Sequence, residues 1–288
     1  MKQLRVMIIG AHPDDCDFEC GGIALKYAKL GHKVKFLSLC NGDCGHQEMT
    51  CEQTATRRRQ ETLRVAKEFG FEYDVWMDSH DCQLVASLEN RARLICDIRN
   101  FNPDIIFTCR PNDYHADHRN ASLLVQDASY LLIVPHYCPE APAMKKMPTI
   151  MYNFDYFQNP PFETTIAVRT DDVIDDMFKM FSFHESQVFE WLPWTHGLLH
   201  TVPQNKEERL SWIHEPRIDR NATIDDLEYL KTKRIPLQSE ERQAKLAVWN
   251  KDALIKRYGE EEGKKILFAE AFSVCEYGSP FRDELIPF

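Results

Sequence analysis

The chain has 288 residues, 43% hydrophobic and 28% charged, enough to bury a full core as one large domain or two small ones. Its formal net charge of -10 excludes a nucleic-acid binder, which needs Lys and Arg clustered on one face. The longest basic run, Arg57-Arg58-Arg59, is followed at once by Gln60 and Glu61 and reads as a solvated helix face.

The first element is an apolar run over 4–9 that stops at Gly10. It predicts a strand buried on both faces and is far too short for a signal core or a membrane span, so the chain is expected in the cytoplasm with no integral membrane segment. After a polar turn, Ile23, Ala24, Tyr27, Ala28 and Leu30 follow helical spacing until Gly31-His32. Residues 34–40 predict a second strand, 54–69 a helix ending at Gly70, 73–77 a third strand, and 87–101 a helix that Pro103 breaks. A fourth buried strand follows over 104–109, then a helix over 116–131. Beyond 135, Pro135, Pro139, Pro142 and Pro148 mark a long connection before short strands over 149–154 and 164–168. A helix is predicted over 171–191, with Asp171, Asp172, Asp175 and Asp176 at its positive end. Residues 204–262 are strongly charged and read as helical pieces, for example 239–258, where Ser239 is placed to cap and Arg242 stands where a capping box would have Glu.

Strands alternating with helices of this length predict a Rossmann-like three-layer α/β sandwich with a mostly parallel sheet, helices on both faces and a helical C-terminal extension. The expectation is one domain over 1–288, with 200–262 as a helical elaboration. Ligands of such sheets gather at the carboxyl ends of the strands. The two richest polar clusters follow directly after the strands over 4–9 and 104–109.

The first cluster is Ala11-His12-Pro13-Asp14-Asp15. An imidazole and two carboxylates in a strand-end turn are costly unless the charges act on something. Adjacent side chains leave an extended chain on opposite sides, so one carboxylate can bind an ion while the other faces its water. The second cluster is His115-Ala116-Asp117-His118, opening a helix. Its two histidines can share a face, or one can serve a metal while the other projects toward substrate. Two histidines and one carboxylate make a three-ligand site with a position left for water, the arrangement of a catalytic zinc. Ten cysteines show no CxxC pair and are expected to be free thiols, Cys16 and Cys20 as small packing residues.

These residues resemble the zinc-dependent LmbE-like family, which includes the N-acetylglucosaminylphosphatidylinositol deacetylases and the mycothiol and bacillithiol pathway deacetylases. The family's AHPDD stands at 11–15 and its HxDH at 115–118. Further echoes are Gly21-Gly22, Asn41-Gly42-Asp43, Arg58 with Glu61, His184-Glu185-Ser186-Gln187 and Ala269-Glu270-Ala271-Phe272. The resemblance covers most of 4–190 and a short stretch near 270. It implies a hydrolase that removes acetyl from an N-acetylated sugar or similar small substrate, with one Zn2+ per chain held by His12, Asp15 and His118 and with Asp14 as general base. A positively charged His115 would stabilise the oxyanion or protonate the leaving amine, and Asp117 would orient it. Cys16 stands where family members often have Glu, which puts a supporting contact in question rather than the ligands.

Arg58 and Arg110 are candidates for contacts to substrate hydroxyls or a phosphate, against ordinary salt bridging. His184, on an apolar helix face, is a core histidine or a site residue, and His46 lies in a Gly-bearing loop that could approach substrate. Trp191, Trp194 and Trp212 are core residues or sugar-stacking platforms. Iron, manganese and cobalt suit the same donors as zinc, and a homo-oligomer is compatible with this fold class. Three rivals are weighed. A nucleotide-binding module would need GxGxxG where Gly10-Ala11-His12-Pro13 stands. A non-catalytic metal-binding homologue would not need Asp14 and His115. A hydrolase of another linear amide would keep the whole site.

Overall fold

Among residues 2–288, which the computed structural model describes, seven strands form a single sheet. They are β1 (Arg5–Gly10), β2 (Lys33–Ser38), β3 (Glu72–Val75), β4 (Ile105–Thr108), β5 (Thr149–Asn153), β6 (Ile166–Arg169) and β7 (Ala269–Val274), in the order β3-β2-β1-β4-β5-β7-β6. The first five pair in parallel, with Val6 beside both Val34 and Ile105. β7 inserts antiparallel between β5 and β6, pairing Met151 with Val274 and Ile166 with Phe272. The sheet is therefore mostly parallel, as expected.

The helices are α1 (Asp15–Lys29), α2 (Cys51–Phe69), α3 (Leu88–Phe101), α4 (Ala116–Leu131), α5 (Ile174–Phe183), α6 (Leu192–Thr195), α7 (Lys206–His214), α8 (Glu240–Trp249), α9 (Lys251–Tyr258) and α10 (Glu260–Lys265). They cover both faces, and the alternation along β1 shows how. Val6 and Ile8 point into a core shared with α1, α5 and α8, while Met7 and Ile9 point into a second core built with α3 and α4. Both faces of the strand are buried, which is why it reads as an unbroken apolar run.

Several elements differ from their sequence prediction, each for a local reason. α2 begins at Cys51 rather than 54, because Thr50 and Gln53 form a reciprocal capping box. The helix predicted over 171–191 breaks at His184. There the buried carboxylate of Glu61 takes the Ser186 amide at 2.8 Å and its hydroxyl at 2.7 Å, and a wide π-type turn over Gln187–Trp191 follows before α6. The helix predicted over 239–258 divides at Asn250, whose side chain donates to the Leu246 carbonyl at 2.8 Å and accepts from Thr164 at 2.5 Å. β7 has no counterpart in the prediction.

All ten cysteines are free. Cys16 and Cys20 are buried as packing residues, the Cys16 thiol donating to the Ile8 carbonyl at 3.4 Å. Among the described residues no helix is long and apolar enough to cross a membrane. The strand order reverses at β1, which lies between β2 and β4, and the crevice beyond the carboxyl ends of β1 and β4 is where a parallel sheet of this kind binds its ligands.

Candidate metal centre and active site

Both motifs meet in that crevice. β1 ends at Gly10, where a Cβ would stand 2.6 Å from the Asp15 Cβ, so glycine lets the first turn of α1 fold back onto the strand end. Asp15 Oδ2 then accepts from the amides of Ala11 and His12 at 2.9 and 2.8 Å. The same oxygen lies 3.6 Å from His12 Nδ1 and 3.5 Å from His118 Nε2, and those two nitrogens are 3.2 Å apart. A tetrahedral zinc with bonds of ~2.0–2.2 Å needs donors roughly 3.3–3.5 Å apart, so the three atoms fit one ion.

The second contacts of each imidazole favour the same arrangement. His12 Nε2 lies 3.2 Å from Asp117 Oδ2, and His118 Nδ1 lies 3.2 Å from Asp113 Oδ1. A ring nitrogen donating to a carboxylate leaves its partner nitrogen with a lone pair for metal. Asp117 is itself held by the amides of Cys82 and Leu84 at 2.6 and 3.2 Å. This differs from the expected orientation of His115 by Asp117: their side chains are 4.0 Å apart, and the carboxylate serves His12.

His115 is the N-cap of α4, its Nδ1 accepting from the Asp117 amide at 3.2 Å. That bond requires a lone pair on Nδ1 and leaves the proton on Nε2. Burial and the neighbouring His12 and His118 also hold its pKa below the usual histidine value. Both features favour a neutral Nε2–H donor over the expected imidazolium. An imidazole nitrogen of His115 lies within 4.8 Å of ligand atoms of His12 and His118, close enough to address a group held there.

Asp14 diverges from Asp15 as adjacent residues in an extended turn must. Its Oδ1 accepts from Arg58 Nη2 at 2.7 Å. Burial pushes its pKa up although the guanidinium opposes this. Burial would also raise Asp15, but the imidazoles of His118 and His12 outweigh it and hold the carboxyl well below its usual range. Burial disfavours charge on His12, yet Asp117, Asp15 and Asp81 raise it to about 10. Burial opposes charge on His118 too, and Asp15 and Asp113 raise it. Carboxylates therefore make this crevice demand positive charge, which a divalent cation supplies.

The four remaining sequence candidates are placed otherwise. Arg58 lines the cavity, but it donates to Asp14, to the Pro13 carbonyl at 3.2 Å and to the Gly42 carbonyl at 3.2 Å. Gly42 has φ 77° and a Cβ there would meet the guanidinium at 2.7 Å, so this glycine is required both by its backbone and by the close approach. Arg110 forms a bidentate pair with Asp155 at 2.5 and 2.6 Å and anchors the following loop through the carbonyls of Pro160 and Pro161. His46 pairs with Glu190 at 2.9 Å, accepts from the amides of Glu48 and Met49, and does not line the cavity. His184 is fully buried, 3.1 Å from Asp17. Trp191 lines the cavity with Trp194 stacked on it, while Trp212 packs near Phe189.

Residues not foreseen complete the site. Asp113 precedes His115 by two and could have been found as a second carboxylate beside the second motif. Asp81, at the end of the neighbouring β3 connection, accepts from the amides of Gly42 and Cys44 and lies 3.9 Å from His12. Glu19 falls one helical turn after Asp15 and lines the cavity, its side chain exposed to that space while the surrounding walls push its pKa up to about 7.

Residues 7–129 match the family described as PIG-L: GlcNAc-PI de-N-acetylase. The match runs from within β1 into α4 and contains every residue of both motifs. The full chain resembles N,N'-diacetylchitobiose deacetylase from Pyrococcus horikoshii at 19% identity and TM-score 0.64, covering 96% of this chain and 85% of that one. It resembles the conserved protein TT1542 from Thermus thermophilus at 18% identity and TM-score 0.63, covering 97% and 98%. It also resembles GalB, the 4-carboxy-2-hydroxymuconate hydratase from Pseudomonas putida, at 17% identity and TM-score 0.62, covering 98% and 99%. At these identities the likeness concerns the fold.

Proposed function

We propose that this protein is a zinc-dependent N-deacetylase acting on an N-acetylated sugar or a similar small substrate. The observation that carries the reading is the triangle of His12 Nδ1, Asp15 Oδ2 and His118 Nε2, with edges of 3.2, 3.5 and 3.6 Å, flanked by Asp14 on one side and His115 on the other. These three atoms would hold the metal, which when bound supplies Lewis acidity to polarise an acyl carbonyl and acidify water. Asp14 takes the proton of the attacking water, its raised pKa suiting a base that must hand the proton on to the departing nitrogen. Arg58 orients Asp14 through the 2.7 Å hydrogen bond. His115 donates its Nε2–H to the developing oxyanion.

A second reading is addition of water to a carbon–carbon double bond, because GalB, a hydratase, shares the fold at full length. The same base and donor set would serve it. The PIG-L match over the residues of both motifs favours deacetylation. Acetate release from N-acetylglucosamine and its glycosides, before and after chelation and zinc restoration, tests the proposal. Release that vanishes with chelator and returns with zinc supports it. No release from zinc-loaded protein would move the assignment to another amide, to hydration or to a non-catalytic homologue.

A further inference from the structure

The cavity above the metal centre measures about 550 Å³, within the range of small-molecule sites. Three arginines line it. Arg58 is committed to Asp14 and Arg110 to Asp155. Arg242, delivered by α8 of the C-terminal elaboration, has no carboxylate within 4.0 Å among the described residues, and its one side-chain bond there is from Nη1 to the Ile235 carbonyl at 3.3 Å. Arg242 lines the cavity.

Glu19 faces the same space from α1 and is likewise without a hydrogen-bond or ion-pair partner for its carboxylate among the described residues. Arg242 is the strongest positive influence on it. The two opposite charges therefore line one cavity without pairing, leaving donors and acceptors free for a third group. An anion at Arg242 would meet Glu19, backed by Asp15 and Asp113, while an ammonium at Glu19 would meet Arg242. A neutral hydroxyl satisfies both, accepting from the guanidinium and donating to the carboxylate. Trp191, which lines the same cavity, adds an aromatic side chain for the ring that carries such hydroxyls.

We propose that Glu19 and Arg242 form a clamp that selects a polyhydroxylated ring attached to the reacting group. The identity of that reacting group rests on the deacetylase reading, whereas the clamp rests on the cavity wall. The probes are N-acetylglucosamine and N-acetylcyclohexylamine, which share a six-membered ring and an acetamide but differ in hydroxyls. The zinc-loaded wild type should prefer the sugar in kcat/KM. Arg242→Met should lower the ratio of the two values by about tenfold or more, mainly through KM for the sugar, and Glu19→Gln should lower it in the same direction. An unchanged ratio, or a wild type that prefers the cyclohexyl amide, would overturn the clamp.

If Arg242→Met melts early, Glu19→Gln, which keeps the side-chain shape, decides by the same ratio. If the wild type turns over neither probe, the deacetylase reading has failed and the clamp is read by calorimetric binding of N-acetylglucosamine. Binding about tenfold weaker in Arg242→Met would uphold it. Equal binding, or none by the wild type, would refute it.

Discussion

The crevice between β1 and β4 and the wall made by α8 close the same cavity, yet they are built by different rules. In the crevice, contacts are short in sequence or are imposed by adjacent strand ends. Asp15 binds amides three and four residues back, His115 caps the helix it opens, and His12 meets His118 because β1 and β4 are neighbours. The wall depends on long-range polar anchors. Glu240 accepts from His214 at 2.9 Å, from Arg220 at 2.7 and 2.8 Å and from the Ile218 amide at 2.8 Å, and this fixes the start of the helix that carries Arg242. On the proposed reading the parallel-sheet framework supplies the chemistry and the C-terminal segment the selection. Substitutions in the two regions should have separable consequences.

The largest effect is expected at Asp14. Asp14→Asn should retain zinc and lose turnover by about 10²–10⁴-fold, since only the base is removed. Metal analysis together with steady-state kinetics checks this, and undiminished activity would exclude the carboxylate as base. Next is His115→Asn, chosen because Asn still caps a helix while lacking Nε2–H. It should lower kcat by roughly 10²–10³-fold with the melting temperature little changed. A large loss of stability instead would reduce His115 to its capping role.

Asp117→Asn comes third. It should weaken zinc affinity by about 10–100-fold, because the bond that fixes His12 loses its charge, and competition with a chromophoric chelator measures it. The smallest effect belongs to the wall. Burial would raise Glu240, but His214, Arg220 and the Ile218 amide outweigh it and bring its pKa down to about 2. A carboxyl depressed in the folded state contributes stability that is full above the unfolded value near 4.5 and is lost as pH falls toward 2. Glu240→Gln should therefore melt lower than wild type at neutral pH, and the two curves should converge between pH 4.5 and 2, with zinc content unchanged. Curves that stay parallel through that window would remove Glu240 as an anchor.

The same contrast explains what could be read in the sequence. The parallel half was legible because β1 and β4 are buried on both faces and because glycines punctuate the element ends, as at Gly10 and Gly70. The meeting of His12, Asp15 and His118 was legible because both motifs fall at carboxyl ends of strands that this fold makes adjacent. The contact of Asp117 with His12 was not legible, since its carboxylate reaches across to the other motif, a distance no local pattern encodes. Arg58 and Arg110 resemble ligand-seeking arginines until their partners Asp14 and Asp155 are seen. β7 escaped because its neighbours β5 and β6 lie about a hundred residues away, and the break at His184 depends on Glu61 in another helix.

Chelated protein titrated with zinc while acetate release from N-acetylglucosamine is followed tests the central claim most directly. The His12, Asp15 and His118 site predicts activity that rises linearly and levels off at one zinc per chain. Activity in the fully chelated protein, or a rise that continues to a second equivalent, would contradict it.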